Sequence, residues 1–402
     1  MRILHLNEHY PPLVLGGAER SVATLAEAQV RAGHEVFVVC TTSGDFAEEV
    51  REGVTVFRIP HCTTFWSEDW LQHNGLERLW RKASMPFNRG QRMHFAKLLR
   101  QVQPDIVHTH SMNDVSTGAW VEAKRQGYPL IHTLRNYDLL CSNGAMYHNG
   151  LTCGPRCRLI SIAKQRQHRC IDGVVGISAE VLQLHCDHGL FAHVPQACRR
   201  VIWNSARVAG ADTAYLRPPR DGKPFAFGYL GRLAEEKGVG MLIEAARQLP
   251  VDRDWEMVIA GRAPGNGNPF SGAAAGLPVR FIGQVEPLAL FEQVDVLVAP
   301  AIWPEPFGRI IVEAYSVGVP VLAADIGGMP GLILGDHTRW LVQPGDVDGL
   351  SDRMMRIMAD GRAALPSGPD FDPVIAATEP DTIARAYESF YRTFVQPEPR
   401  AA

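Results

Sequence analysis

The sequence lacks any long apolar run and carries little excess charge of either sign, and both absences exclude classes of protein. No segment approaches the roughly 18 consecutive apolar residues that a membrane-spanning helix needs, and the apolar start of the chain stops at Asn7. We therefore expect neither a membrane span nor an export signal. The expected location is the cytoplasm. A formal net charge of -3 argues against a nucleic-acid-binding protein, which needs a basic stripe for phosphates.

Cysteine is also scarce, with 8 residues in a chain of 402. That density is too low for a disulfide-stapled fold, so we expect mostly reduced thiols. Four of the cysteines nevertheless lie close together in sequence: Cys141, Cys153, Cys157 and Cys170. The C-x3-C pair among them allows a structural zinc site, although the outer spacing matches no known finger. Thiols that bind no metal are the alternative interpretation.

What the chain does contain is ample apolar material, 46% of its residues, in a length that predicts two domains. Short β-branched runs alternate with amphipathic helical stretches, which is typical of a parallel sheet covered on both faces. The pattern predicts one doubly wound α/β domain over 1–203 and a second over 204–376. A Pro-rich and charged linker falls at about 204–224, and a final helix and tail occupy 377–402.

Ligands of doubly wound sheets bind at the carboxyl ends of the strands, so residues that follow strands are the candidates. Gly16 and Gly17 follow the first strand and open a helix, where an anion can approach the backbone; a tight turn without a ligand is the alternative. His110 ends the fourth predicted strand. It is a candidate for contact with a sugar hydroxyl or for polarising a reacting group, and a buried structural histidine is the alternative.

Two cations mark the corresponding position in the second domain. Arg232 and Lys237 lie five residues apart on a strand-to-helix turn, the segment GRLAEEKG. Arg offers a bidentate fork and Lys a point charge, so the pair can bind one diphosphate. A solvated charged loop is the alternative.

The strongest pattern is WPEPFGRIIVEA at 303–314. Glu305 lies in a loop after a strand, the segment Phe307, Gly308, Arg309 and Ile310 begins a helix, and Glu313 interrupts its apolar side. A carboxylate at such a place accepts hydrogen bonds from sugar hydroxyls. Favourable charge near a helix start explains Glu305 alone equally well, but it does not explain Glu313.

The segment 65–100 interleaves aromatic and basic residues, among them Phe65, Trp70, Trp80, Arg78 and Lys82. This composition suits contact with anionic lipid or a lipid-linked molecule, and hence peripheral attachment to a membrane. An ordinary pair of amphipathic helices is the alternative.

These residues together resemble the retaining glycosyltransferases of family 4, which have the GT-B fold. PEPFG-x4-EA contains that family's E-x7-E motif, Glu305 and Glu313, and the Gly16-Gly17 loop, VHTH ending at His110 and GR-x4-KG follow in the family's order. The resemblance implies two Rossmann-like domains that face each other across a cleft, with a last helix crossing back to the N-terminal domain. It also implies an acceptor-binding first domain, a sugar-nucleotide-binding second domain, and transfer without a metal or other cofactor.

When the family's residue roles are transferred to the matching positions, the resemblance implies that Arg232 and Lys237 bind the diphosphate and that Glu313 binds the ribose. Glu305 and the segment from Phe307 to Ile310 would hold the donor sugar and β-phosphate, with Gly17 approaching the diphosphate and His110 the sugar. The implied acceptor is a glycan, a lipid-linked molecule or a small molecule, as in polysaccharide or glycolipid synthesis at the inner face of the membrane.

Three segments depart from the family pattern. Gly331 stands where a glutamate is common, 336–340 lacks a usual glycine, and 261–265 varies a GDGP-like loop. These departures bear on donor identity. Two other functions stay open: a sugar-nucleotide epimerase on the same fold, and a non-catalytic sugar-nucleotide-binding partner of another transferase, which Gly331 and the altered 336–340 segment favour.

Overall fold

The computed structural model describes residues 1–14, 16–142, 144–148, 151–206, 208, 220–250, 252–263, 267–366 and 368–395. The chain forms two compact units. The N-terminal unit consists of Met1–His148, Thr152–Ser205 and the chain from Pro380 onward, and the C-terminal unit of Ala206–Glu379 together with the short segment Asn149–Leu151. The predicted linker at 204–224 lies largely outside the described residues.

The N-terminal unit is built on an eight-stranded sheet. Its part of the chain contains the strands β1 (Arg2–Leu6), β2 (Glu35–Thr42), β3 (Ala47–Arg51), β4 (Val54–Pro60), β5 (Ile106–Thr109), β6 (Leu130–Leu134), β7 (Tyr147–His148), β8 (Leu151–Thr152), β9 (Gly173–Gly176) and β10 (Arg199–Val201). The sheet order is β10-β9-β6-β5-β1-β2-β4-β3, and β7 and β8 form a separate two-stranded sheet. All pairs in the large sheet are parallel except that of β3 with β4.

Helices flank this sheet: α1 (Gly17–Arg31), α2 (Gly75–Ser84), α3 (Arg89–Val102), α4 (Gly118–Arg125), α5 (Pro155–Gln167) and α6 (Ala179–Asp187). On α1, Val22, Leu25 and Ala26 repeat with helical spacing and are buried. Both faces of the central strand β1 are covered, and Ile3, Leu4 and His5 have no exposed surface.

The C-terminal unit has a six-stranded, wholly parallel sheet in the order β13-β12-β11-β14-β15-β16. Its strands are β11 (Phe225–Leu230), β12 (Trp255–Ala260), β13 (Val279–Gly283), β14 (Val296–Ala299), β15 (Val321–Ala324) and β16 (Leu341–Val342). Its helices are α7 (Val239–Arg247), α8 (Pro287–Phe291), α9 (Arg309–Tyr315), α10 (His337–Trp340), α11 (Val347–Asp360) and α12 (Gly368–Thr378).

The last helix, α13 (Pro380–Tyr391), belongs to the N-terminal unit. Its buried face, with Ile383, Tyr387 and Tyr391, joins Leu25 of α1 in one apolar cluster against the sheet. The N-terminal unit therefore takes part of its core from a segment that follows the whole C-terminal unit in sequence.

The prediction of two parallel, doubly wound α/β sheets is confirmed. The edge strand β3 was not predicted, because Ala47–Arg51 is fully exposed and has no apolar alternation. Its strand conformation comes from antiparallel pairing with β4. Among the described residues, no helix combines the length and apolarity needed to cross a bilayer.

Candidate functional site

The carboxyl edge of the C-terminal sheet brings Lys237 and Glu305 into direct contact. Lys237 lies in a 3-10 turn after β11, Glu305 follows β14, and these two strands are neighbours in the sheet. The Lys237 ammonium forms an ion pair with Glu305 Oε2 and lies 4.7 Å from the centre of the Trp303 ring. Both charged side chains are about four-fifths buried, so the pair is a preorganised site for a charged ligand.

Glycines hold the two loops of this pair in place. Gly238, which ends the Lys237 turn, has φ +75°, and a Cβ there would lie 1.9 Å from the Pro300 carbonyl oxygen. Gly327 has φ +61°, and a Cβ there would lie 2.3 Å from the Glu305 carbonyl oxygen. The Gly328 N–H donates to that same oxygen at 2.8 Å. The backbone of Glu305 is thus clamped by a loop that tolerates no side chain at Gly327.

The motif at 303–314 begins α9 as predicted. Gly308 is the N-cap, with φ +95°, and Phe307 before it is buried. Arg309 Nε donates to Glu313 Oε1 at 2.8 Å, one helical turn along, and Ile310 is half-buried. Glu313 is therefore a buried carboxylate whose charge is balanced by its neighbour on the same helix.

Arg232 lies on the same loop as Lys237 but is directed outward. Its side chain is 65% exposed, and Nη2 donates to Glu236 at 3.0 Å. The Tyr229 hydroxyl donates to the Arg232 carbonyl oxygen at 2.7 Å and fixes the backbone. Arg232 and Lys237 share a loop, and only Lys237 contacts Glu305.

In the N-terminal unit, Gly16 and Gly17 lie exposed at the start of α1. The Gly16 N–H donates to Glu19 Oε2 at 2.8 Å, which caps the helix. The predicted approach of Gly17 to a diphosphate stays a prediction.

His110 is 1% exposed and belongs to a buried chain of hydrogen bonds. Arg135 Nε donates to His110 Nδ1 at 3.1 Å. Because arginine can only donate, a neutral His110 carries its proton on Nε2 and donates it to His5 Nδ1 at 2.9 Å. His5 Nε2 then donates to Gln29 Oε1 at 2.7 Å.

The chain continues to the last helix. Gln29 Nε2 donates to the Tyr391 hydroxyl at 3.2 Å, and that hydroxyl donates to His108 Nδ1 at 2.6 Å. His108 Nε2 donates to Thr133 Oγ1 at 2.7 Å, which contacts the Tyr387 hydroxyl at 3.0 Å. The direction of the hydrogen bond from Arg135 to His110 therefore assigns the tautomer of every histidine in the network.

Burial keeps these histidines neutral. It lowers the pKa of His5 to about 4, against a smaller raising effect of the Gln29 hydrogen bond. Burial also lowers the pKa of His108 and His110 far below the usual value, and neighbouring positive charge adds to the effect. The neutral state is the one that the hydrogen-bond directions require. A role for His110 as a sugar contact stays a prediction.

Two groups of side chains lie close enough to hold a metal ion, within the part of the chain that the structure describes. In the first, His5, His108 and His110, every ring nitrogen already has a protein partner. In the second, Glu8, His9 and Asp114, the Arg81 guanidinium already forms an ion pair with Asp114.

The predicted cysteine set is not among these groups. The side chain of Cys157 lies outside the described residues, so the zinc interpretation stays a prediction.

Comparison with known proteins decides the family. The model of "Glycosyltransferase Family 4" matches residues 15–206 and that of "Glycosyl transferases group 1" matches residues 217–366. A glycogen synthase of Mycobacterium tuberculosis is 30% identical, with 100% of this chain and 97% of that protein covered. The chain belongs to glycosyltransferase family 4. This confirms the resemblance drawn from the E-x7-E motif.

Solved structures show the fold of this family 4 protein. Sucrose-phosphate synthase from Thermosynechococcus elongatus superposes with a TM-score of 0.73 at 20% identity, covering 98% of each chain. The Anabaena protein Alr3699/HepE, solved in complex with UDP-glucose, gives a TM-score of 0.67 at 18% identity and covers 98% of this chain and 100% of its own. The predicted GT-B fold is thus confirmed.

Sequence reasoning assigned no functional role to several polar residues at the edge of the N-terminal sheet. Arg135 follows β6 and sets the direction of the histidine network. Glu8 follows β1 and Asp114 follows β5, and both reach a cavity. The rule that residues after strands form sites was available for all three, but none carries a motif.

Proposed function

We propose that this protein is a retaining, metal-independent glycosyltransferase that moves a sugar from a nucleoside-diphosphate sugar to an acceptor hydroxyl. The observation that carries the proposal is that two ion pairs, Lys237–Glu305 and Arg309–Glu313, both lie at the carboxyl edge of the C-terminal sheet. A cation for the diphosphate and carboxylates for hydroxyl groups are the chemistry that such a donor needs. The UDP-glucose bound to Alr3699/HepE supports this class of donor.

In the proposed reaction, Arg232 and Lys237 bind the diphosphate, Glu313 accepts from the ribose hydroxyls, and Glu305 accepts from the donor sugar. The bond between the anomeric carbon and the phosphate oxygen breaks, and both bonding electrons leave with the phosphate. Lys237 stabilises the charge that develops on this leaving group. The acceptor oxygen bonds to the anomeric carbon on the same face, and its proton passes to the departing phosphate.

Exchange of Lys237 for alanine tests this assignment. Loss of one group that stabilises transition-state charge typically costs about 100-fold to 1,000-fold in rate, so we expect Lys237→Ala to lose at least about 100-fold of transfer. Lys223→Ala, which removes an exposed lysine of the same unit, should retain full transfer. Near-normal turnover of Lys237→Ala with an intact melting profile would overturn the assignment.

The donor and the reaction class are identified by two further measurements. A thermal-shift screen of UDP-, GDP- and ADP-sugars identifies the base, since a ligand bound by the folded state raises the melting temperature. Product analysis without an acceptor separates transfer from epimerisation, because only an epimerase releases an altered sugar nucleotide. Binding without any turnover would point to a non-catalytic partner.

We also propose that helix α2 attaches the N-terminal unit to anionic membranes. Leu76 is 80% exposed, Trp80 65% and Phe87 68%, while the apolar face of the following helix α3 is buried. The basic side chains of α2 itself line a cavity on its other side, but Arg89, two residues after Phe87, is exposed. An exposed apolar stripe with a cation near its end fits the boundary between acyl chains and acidic headgroups.

Sedimentation with lipid vesicles tests this attachment. We expect the chain to bind vesicles that contain phosphatidylglycerol and the variant Leu76→Ser/Trp80→Ser to lose most of that binding. Val50→Ser is the matched control, because Val50 is 73% exposed on the distant edge strand β3. Equal binding of all three proteins would exclude α2 as the attachment site.

A further inference from the structure

A cavity of about 550 Å³ opens at the carboxyl edge of the N-terminal sheet. Glu8, after β1, and Asp114, after β5, both line it. These two strands are neighbours in the sheet. The next strand after β1, β2, lies on one side of the pair, and the next strand after β5, β6, lies on the other side. The cavity therefore lies at the point where the strand order reverses, which is where doubly wound sheets bind their ligands.

The walls of this cavity are rich in cations. Arg78, Arg81 and Lys82 project from α2 with helical spacing, and Lys164 reaches in from α5. Arg81 serves the structure itself, because it pairs with Asp114 and donates from Nε to the Phe65 carbonyl oxygen at 3.1 Å. Arg78, Lys82 and Lys164 line the same cavity and add positive charge to its walls.

Three carboxylates lie near these cations, Glu8, Asp114 and Asp138. Burial raises the pKa of Asp138, against a smaller lowering effect of the Lys164 charge. Burial raises the pKa of Glu8 well above its usual value, and the nearby charge of Asp114 adds to the rise, which favours the uncharged form. Burial also acts to raise the pKa of Asp114, but the charge of Arg81 and hydrogen bonds to Ser67 and Arg81 lower it. Asp114 is then the single ionised carboxylate among the lining residues, and it is paired.

An aromatic wall completes the site. The Lys82 ammonium lies 4.7 Å and the Arg78 guanidinium carbon 5.5 Å from the centre of the Trp70 ring. Trp70 thus fixes the position of both cations. Lys164 is 9% exposed, so a charge that it binds is largely removed from water and screened little.

We propose that this cavity binds a phosphate ester carried by the acceptor, with Arg78, Lys82 and Lys164 as its ligands. The proposal rests on the proposed transferase function and names the chemical class of the acceptor. One Arg fork and two ammonium groups match the charge and the several oxygens of a phosphate better than a single carboxylate. The opposite side of α2 carries exposed Leu76 and Trp80, which allows the phosphate to be part of a lipid.

Calorimetric titration of the full chain with glycerol 1-phosphate tests the subsite. Each charge-assisted hydrogen bond to a charged ligand contributes about 1.5–3 kcal/mol, which corresponds to roughly 10-fold to 100-fold in affinity. We expect Lys164→Gln and Arg78→Gln/Lys82→Gln each to weaken binding at least about tenfold. Lys97→Gln, an exposed lysine on α3, is the matched control and should bind like the unaltered chain.

Vesicles that contain phosphatidic acid form the second arm and identify the source of the phosphate. Cation-dependent binding of either glycerol 1-phosphate or these vesicles supports the subsite, and the arm that binds shows whether the phosphate is soluble or lipid-linked. Three results would overturn the phosphate subsite: no binding in either arm, binding by the glutamine variants equal to that of the unaltered chain, or binding of glucuronate equal to that of glycerol 1-phosphate. Donor binding in the thermal-shift screen is independent of this cavity, so failure here leaves the proposed function separately testable.

Discussion

Replacement of Tyr391 by phenylalanine tests the buried hydrogen-bond network most directly. The Tyr391 hydroxyl is fully buried, accepts from Gln29 Nε2 and donates to His108 Nδ1. Phenylalanine preserves the ring packing but leaves one donor and one acceptor without their partner. Each unsatisfied buried group costs about 1–3 kcal/mol, so we expect the free energy of unfolding of the N-terminal unit to fall by about 2–6 kcal/mol.

The assay is urea or thermal unfolding of this variant, compared with a control variant that carries the same Tyr-to-Phe change elsewhere. A loss of about 2–6 kcal/mol corresponds to a decrease of roughly 4–24 °C in melting temperature for a unit of this size. Tyr10 is equally buried, and its hydroxyl has no hydrogen-bond partner among the described residues. Tyr10→Phe should therefore be neutral or stabilising. Equal effects of the two substitutions would refute the network as a source of stability.

Two further predictions concern stability. Unfolded histidine binds a proton below pH 6.5, whereas His5 in the folded chain stays neutral until about pH 4. The free energy of unfolding should therefore decrease as the pH is lowered through this window, by about 2–3 kcal/mol for His5 at pH 4.5. Equal urea midpoints at pH 7 and pH 4.5 would contradict this. Gly327→Ala should lower both stability and transfer activity, because the added Cβ would clash with the Glu305 backbone. The control Gly335→Ala, at φ +75° in open space, should cost only about 1–2 kcal/mol of stability. Comparable activity of the two variants would exclude a clamp on Glu305.

Much of the fold was predictable because it follows from local patterns. Continuous apolar runs such as β14 and the apolar stripe of α1 reflect burial on a two-sided sheet, and each can be recognised within a few residues. The motif residues Glu305 and Glu313 lie eight positions apart on one loop and helix, so their placement also follows from sequence spacing. The exposed strand β3 was not predictable, because only its pairing with β4 makes it a strand.

The segment 65–100 shows where local pattern stops being sufficient. Its aromatic and basic residues looked uniform in sequence, yet Phe65 is buried, Trp70 lines a cavity and Trp80 is exposed. Both α2 and α3 are amphipathic, and only contacts with the rest of the unit decide that α3 buries its apolar face while α2 does not.

The family, the two parallel sheets and the order of the candidate donor residues were predictable from the sequence, because periodicity and motif spacing are properties of neighbouring residues. The folded chain was needed to show that His110 is enclosed by Arg135 and His5, and that Glu8, Lys82 and Lys164 meet at one cavity. These partners are far apart in the chain. Their pairing depends on which strands become neighbours and on which charges burial forces together, and no local pattern records either.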